Sequence, residues 1–596
     1  MKPLRSVCLG GFLYGAAFYG MVLSLVHVLY NQLGSTRDAL VTFVVFILLY
    51  GVWAMVFFAG AHVAVRILSR VRRRDGGETG RISLWPGLFV FNSVFWTAFF
   101  LYGITYEEVP IGHPSGPAGM LGYVALVALL VALGSALVSW LLARLFARLG
   151  RRLVPVAVSA LLLGLVIHAA APLYTGRPEV EEEKAAAEAP KIQGAETGLK
   201  VVLVGFDGAD WRVIRPLIDK GQLPTFAGMV RHGATGPLAT IHDSNSAVIW
   251  ASIYSGTEPV RHGIHDFYRV ELPGMASAGL FPVHRSYFKE LADLAGKVGL
   301  AHQTLVTRFS QRTVPIWEIV DHAGLSLGLV DGYLYSVPAL KPSHPESFFL
   351  SYGLDGFAQL PGGKSLEDAE VFIQPARLFR QVRPYLDRDD FYWQSAALFD
   401  LLGRYPQPRF LNFYTHEPDS FQHWYWKWLQ PEYFLRVTKE GMDENGDRIP
   451  KLHRDFDAFL KRLMATVGPD TVVIVASDHG HAPTILHGNF YSQHRHGPPG
   501  ILLMQGGPVR PGVSLQGKDI YDVFPTVLYL LGLPVPKDIP GKPMLDALDP
   551  EFVRRHPLRS IDSYEALGLA KGLSGAGRGE ELNRQEIEKL KSLGYL

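Results

Sequence analysis

Hydrophobic and polar positions divide the chain into two unlike parts. In the first third, five runs are apolar and almost uncharged for long enough to cross about 30 Å of hydrocarbon as helices: Cys8–Tyr30, Leu40–Val65, Leu84–Ile104, Met120–Leu142 and Leu153–Leu173. From Leu199 onward, short β-branched runs alternate with helical stretches. Lys200–Phe206, Ser326–Val330, Arg409–Tyr414, Thr471–Ala476 and Gly500–Met504 are apolar on both faces, as strands of a parallel sheet covered by helices are. The pattern predicts an α-helical membrane bundle of five transmembrane helices in residues 1–174, followed by an α/β domain with a mainly parallel central sheet in residues 200–549. Residues 175–199, with Glu179, Glu181, Glu182, Glu183 and Glu188 among alanines, read as a solvated linker. The stretch 267–408 is longer than one crossover needs, which predicts a cap insertion. Residues 550–596 form a tail in which Asn583–Leu593, with Ile587, Leu590 and Leu593 on one face, reads as a docking helix.

Charge in the loops predicts orientation. Lys2 and Arg5 precede the first run, Arg66, Arg70, Arg72, Arg73, Arg74 and Arg81 separate the second from the third, and Arg144, Arg148, Arg151 and Arg152 separate the fourth from the fifth. These segments are expected in the cytoplasm, and the intervening loops, poor in Lys and Arg, outside it. The expected protein is thus multi-pass in the cytoplasmic membrane, with its N-terminus inside and its C-terminal domain periplasmic or extracellular. The first run is longer than a signal-peptide core and lacks a small-x-small exit, so it reads as a retained helix.

Composition narrows the function. With 57 Lys+Arg against 55 Asp+Glu the net charge is +2, so no nucleic-acid partner is expected. At 48% hydrophobic residues the chain is not predominantly disordered. A single cysteine, Cys8, excludes an intramolecular disulfide or a cysteine-based zinc cluster.

Ligands in open α/β sheets sit at the carboxyl ends of strands, and three of the expected strands end in potential metal ligands. Asp207 follows the first, in Gly205-Phe206-Asp207-Gly208. Glu417-Pro418-Asp419-Ser420-Phe421-Gln422-His423 follows Arg409–Tyr414, and Ser477-Asp478-His479-Gly480 follows Thr471–Ala476. Asp and His supply the oxygen and nitrogen ligands of Zn²⁺ and similar ions, and several carboxylates in one place repel one another unless a cation neutralises them. Asp419 and His423, four apart, share a face if the segment turns helical after Pro418.

These segments, with Ser246-Ala247-Val248-Ile249-Trp250-Ala251-Ser252-Ile253-Tyr254-Ser255-Gly256, Arg261-His262-Gly263-Ile264 and Tyr521-Asp522-Val523-Phe524-Pro525-Thr526, resemble the alkaline phosphatase superfamily over Leu199–Asp549, most closely its type I phosphodiesterase/nucleotide pyrophosphatase branch. The resemblance implies an alkaline-phosphatase-like fold, two divalent metal ions (zinc, with manganese as the alternative) and a Ser or Thr nucleophile at a helix start. Here that residue is Ser246, ten before Gly256. A helix amino terminus suits it, because unpaired N–H groups attract phosphate and favour a developing alkoxide; Ser244, Asn245 or Ser246 itself could equally serve as the N-cap. One ion is expected on Asp419, His423 and a later histidine, His496, with His494 as competitor. The other is expected on Asp207, Asp478 and His479.

The implied reaction is a double displacement through a phosphoserine, on a phosphate-ester substrate that is lipid-linked or a nucleotide, with membrane lipid as a further partner. The sulfatase branch is disfavoured, because Ser246 lacks the Cys/Ser-x-Pro-x-Arg context. Ala247 and Val248 stand where relatives often carry a proline pair, a departure that bears on pocket shape. Membrane helices joined to such a domain also resemble the lipid A phosphoethanolamine and lipoteichoic acid enzymes, so transfer of a phospho-headgroup to envelope lipid or glycan is the alternative to hydrolysis. A non-enzymatic membrane binding protein is the third reading.

Overall fold

The computed structural model describes residues 4–31, 36–74, 91–92, 94, scattered positions between 125 and 148, 153–171, 192–241, 244–264, 266–271, 302–306, 311–332, 344–350, 358–360, 364–365, 390–434, 437–483, 491–494 and 497–567. The chain separates into two compact units, one holding the N-terminal helices and the other the α/β sheet.

In the first unit, helical turns run from Leu4 to Asn31 through a π-helical stretch at Gly15–Gly20, and a 39-residue helix spans Thr36–Arg74. At 1.5 Å per residue the latter is about 58 Å long. Leu4–Val26 and Thr36–Ala64 are long and apolar enough to cross a membrane. The expected run Leu153–Leu173 gives a 17-residue helix, Leu153–Ala169, while most of Leu84–Ile104 and ten of the 23 residues of Met120–Leu142 lie outside the described residues. Two spans rather than five therefore meet the length and composition test among the described residues. Tyr14 donates to Asn92 Oδ1 at 2.7 Å, and Tyr19 bonds the same oxygen.

The second unit is organised on β1 (Lys200–Phe206), β2 (Ala234–Ala239), β3 (Leu327–Val330), β4 (Phe348–Leu350), β5 (Phe410–Thr415), β6 (Thr471–Ala476) and β7 (Gly500–Gln505). Its main helices are α1 (Ser246–Ser255), α2 (Glu417–Leu429), α3 (Arg448–Thr466) and α4 (Val523–Leu530). The strands lie in the order β2-β7-β6-β1-β5-β3-β4, and short strands extend the sheet at both edges to eleven among the described residues. Those from β6 to β4 are parallel, so crossovers must cover both faces and every central residue is buried. Val202, Val204 and Phe206 pack in one core with Phe456, Leu460 and Leu463 of α3. On the opposite face lies α1, all ten residues of which are buried.

Sheet register brings the site together. Gly205 pairs with Ala476 and Phe206 with Thr415, so the residues that follow β1, β6 and β5 emerge at one rim. One direction differs from expectation: β7 runs antiparallel to β6 and β2. Its start, not its end, therefore faces the same rim, and the loop bearing His494 arrives there from the N-terminal side. The end of the expected linker is also structured. Ile192 is buried, and Ala195 N–H donates to the Gly532 carbonyl at 2.8 Å. In the tail, Pro550–Arg555 is helical and Ser560–Ile561 pairs with Val535–Pro536; the expected docking helix Asn583–Leu593 lies outside the described residues.

Candidate active site

Asp207 follows the last residue of β1 and is completely buried. Its Oδ2 accepts from the Tyr414 hydroxyl at 2.6 Å and from Trp250 Nε1 at 3.1 Å, while Oδ1 accepts from Ser246 Oγ at 3.3 Å. One oxygen is thus held by β5 and α1, and the other faces the hydroxyl. The next residue, Gly208, has φ 72°, and a Cβ on it would lie 2.8 Å from Asp419 Cα. Glycine at this turn lets the chain leave β1 in direct contact with α2. Its N–H donates to Asp478 Oδ1 at 3.1 Å, joining two strand ends.

Ser246 is the first residue of α1, but the N-cap is Asn245, whose side chain accepts from Val248 N–H at 3.2 Å and donates to Asp266 Oδ1 at 2.8 Å. With the capping role filled, Ser246 Oγ turns into the site, 3.1 Å from His479 Nε2. The helix closes at Gly256, in the left-handed conformation at φ 66°.

Asp419 and His423 lie one turn apart on α2, which does begin at Glu417-Pro418, with Oδ1 and Nε2 3.5 Å apart. After β6, His479 places Nε2 at 3.2 Å from Asp478 Oδ2, 3.5 Å from Asp207 Oδ1 and 3.9 Å from Asp419 Oδ1. Asp207, Ser246, Asp419, His423, Asp478 and His479 are therefore gathered at one point. His496 lies outside the described residues. His494 is present at the site, its ring stacked on His479 with centroids 4.3 Å apart. His481 was not anticipated, yet its Nε2 lies 2.8 Å from Asp419 Oδ1 and the side chain is wholly buried. The available signal was its position two residues beyond His479, in Asp478-His479-Gly480-His481.

Among the described residues, three sets of donor atoms each lie within 4.8 Å of one another: Asp207, Asp478 and His479; Asp419, His423 and His481; and Asp419, His479 and His494. Burial raises the Asp207 carboxyl well above the usual carboxylate range, with the charges of Asp478 and then Asp419 adding to it. The Asp478 carboxyl is raised as well, again chiefly by burial. Three enclosed carboxylates, two of them (Asp419 and Asp478) with an Oδ2 lacking a hydrogen-bond partner among the described residues, form a donor set suited to divalent cations, because a cation removes both their mutual repulsion and the cost of burying their charge.

Buried Asp and His donors thus lie at the carboxyl rim of a largely parallel sheet beside a serine at a helix start, an arrangement that could hold divalent cations next to a hydroxyl. The family model for type I phosphodiesterase / nucleotide pyrophosphatase matches residues 201–523, more than half of the chain, and the chain belongs to that family. It is 35% identical over 81 residues to a phosphopentomutase of Symbiobacterium thermophilum, covering 13% of this chain and 19% of that protein. It is 33% identical over 129 residues to a 2,3-bisphosphoglycerate-independent phosphoglycerate mutase of Gloeobacter violaceus, covering 20% and 24%. The chain thus spans a quarter or less of these relatives' length. Among solved structures, a murine ectonucleotide pyrophosphatase / phosphodiesterase 5 in complex with AMP aligns with 59% of this chain and all of that one, at 13% identity and TM-score 0.36.

Proposed function

We propose that this protein is a membrane-anchored, metal-dependent phosphodiesterase or phosphohydrolase that acts outside the cytoplasm through a phosphoserine at Ser246. The observation that carries this reading is the position of Ser246 Oγ, 3.1 Å from His479 Nε2 and 3.3 Å from Asp207 Oδ1, at the start of a buried helix. Asp207, Asp478 and His479 would hold one divalent ion, and Asp419 and His423 with a later histidine the other. Such ions, zinc or manganese, supply positive charge to phosphoryl oxygens and favour ionisation of a nearby hydroxyl. In the first displacement, Ser246 Oγ bonds phosphorus while the bond to the leaving-group oxygen breaks, and the Oγ proton passes through solvent to that oxygen, which departs as the alcohol. The amino terminus of α1 favours the developing charge. In the second, water cleaves the Oγ–P bond and restores the serine.

Ser246→Ala tests this directly. Hydrolysis of a chromogenic phosphodiester should fall by roughly a thousandfold or more, with no phosphopeptide trapped on acid quenching and an unchanged circular dichroism spectrum. A phosphopeptide at another residue, or retained turnover, overturns the assignment. Long apolar helices in the same chain support the second reading, transfer of a phospho-headgroup to envelope lipid or glycan. Free headgroup as product supports hydrolysis, and modified lipid without net hydrolysis supports transfer.

A further inference from the structure

We infer that His481 is a direct ligand of the ion held by Asp419 and His423, and that Ser492 is the positioning residue that orients both imidazoles. This rests on the two-metal reading above.

The histidines come from different elements, His423 from α2 and His481 from the turn after β6, yet one residue meets both. His423 Nδ1 lies 2.7 Å from the Ser492 carbonyl, and His481 Nδ1 lies 2.9 Å from the Ser492 hydroxyl. Ser492 is itself buried and sits on a two-residue strand, Ser492–Gln493, paired with Ala482–Pro483 directly after His481. The backbone ladder that follows His481 therefore fixes its own anchor.

A carbonyl oxygen only accepts, so His423 carries its proton on Nδ1 and, when neutral, presents an Nε2 lone pair toward Asp419 Oδ1 at 3.5 Å. Two acceptors facing each other at that distance suit a shared cation. A hydroxyl both donates and accepts. His481 can thus donate from Nε2 to Asp419 Oδ1 at 2.8 Å while Ser492 Oγ donates to its Nδ1. When a cation takes Nε2, the proton moves to Nδ1 and the serine accepts instead. His481 neither gains nor loses a net proton in this exchange. The side chain is fully buried, its ring stacked against the indole of Trp426 with centroids 5.8 Å apart. Acceptors that bond the far nitrogen of a metal-binding imidazole raise its basicity and fix the ring's orientation.

The test is metal content and affinity in the full-length protein. His481→Gln keeps an amide N–H able to donate to Asp419 but removes the imidazole, so a role limited to hydrogen bonding survives the change and a ligand role does not. With Zn²⁺ added to chelated protein, the wild type should take two ions per chain and the variant one, its second Kd raised at least 100-fold. Ser492→Ala should keep both ions but weaken the second by roughly tenfold or more. In the Co²⁺-loaded protein, the visible bands of one site should be lost in the glutamine variant. A second Kd raised less than 100-fold, with the cobalt bands intact, overturns the inference while leaving the two-metal reading in place. A wild type that binds no ion overturns both. Circular dichroism of each metal-free variant shows that the fold is retained.

Discussion

At the scale of single residues, the contact between Gly208 and Asp419 holds two of the donor-bearing segments at their working separation. A side chain at φ 72° costs on the order of 1–2 kcal/mol, and here its Cβ also meets backbone 2.8 Å away. Gly208→Ala is therefore expected to lower stability by about 2 kcal/mol or more and to push α2 away from β1. Metal titration and chemical denaturation should show weakened binding along with the stability loss. Normal metal affinity in a merely destabilised protein would show that the contact does not set the donor separation. Asp207, Asp478 and His479 could be picked out in the sequence because they closely follow apolar strand-like runs, whereas Ser246 came only from the family resemblance. His481 could not, since nothing in the local pattern says that an imidazole two residues past His479 reaches α2. That contact exists only because the ladder between Ala482–Pro483 and Ser492–Gln493 folds the chain back.

At the scale of elements, continuous apolar runs gave β1 and β6 with their boundaries intact, since a strand buried on both faces has no polar register to blur its ends. Strand direction was less accessible. The run Gly500–Met504 reads the same whether it pairs parallel or antiparallel, and its partners β6 and β2 decide. Helix α3 carries a testable burden of its own. His453 is fully buried on it, its Nδ1 meets the Ile449 carbonyl at 2.9 Å, and burial lowers its pKa from the ordinary 6.5 to about 4. The unfolded chain takes up this proton below about 6.5, whereas the folded chain resists until about 4. Stability should thus be complete above 6.5 and fall across that window by roughly 3 kcal/mol. His453→Leu should flatten this part of the stability–pH curve measured by denaturant unfolding. An unchanged slope would assign the acid sensitivity to other groups.

For the whole molecule, the expectation of membrane anchorage rests on two long apolar helices and on the clusters of Arg that follow or precede apolar runs. The protein is expected to stay with the membrane fraction through alkaline carbonate extraction. Protease added outside intact spheroplasts should remove the α/β domain while sparing the N-terminal helices. Release by carbonate, or protection from external protease, would contradict the proposed anchorage or orientation. Two of the five expected runs meet the length and apolarity test among the described residues, a test that admits a run as a candidate without saying which runs pack as continuous helices.

Ser246 and His479 stand 233 positions apart in the chain yet only 3.1 Å apart in space, with the sheet between their segments completed by strands from both. A polypeptide whose synthesis has not passed His479 cannot bring them together, so the proposed nucleophile and its neighbouring donors assemble only late in translation. On the proposed two-ion reading, uptake of divalent ions can only follow that point, and a cell starved of them would accumulate the folded, metal-free chain.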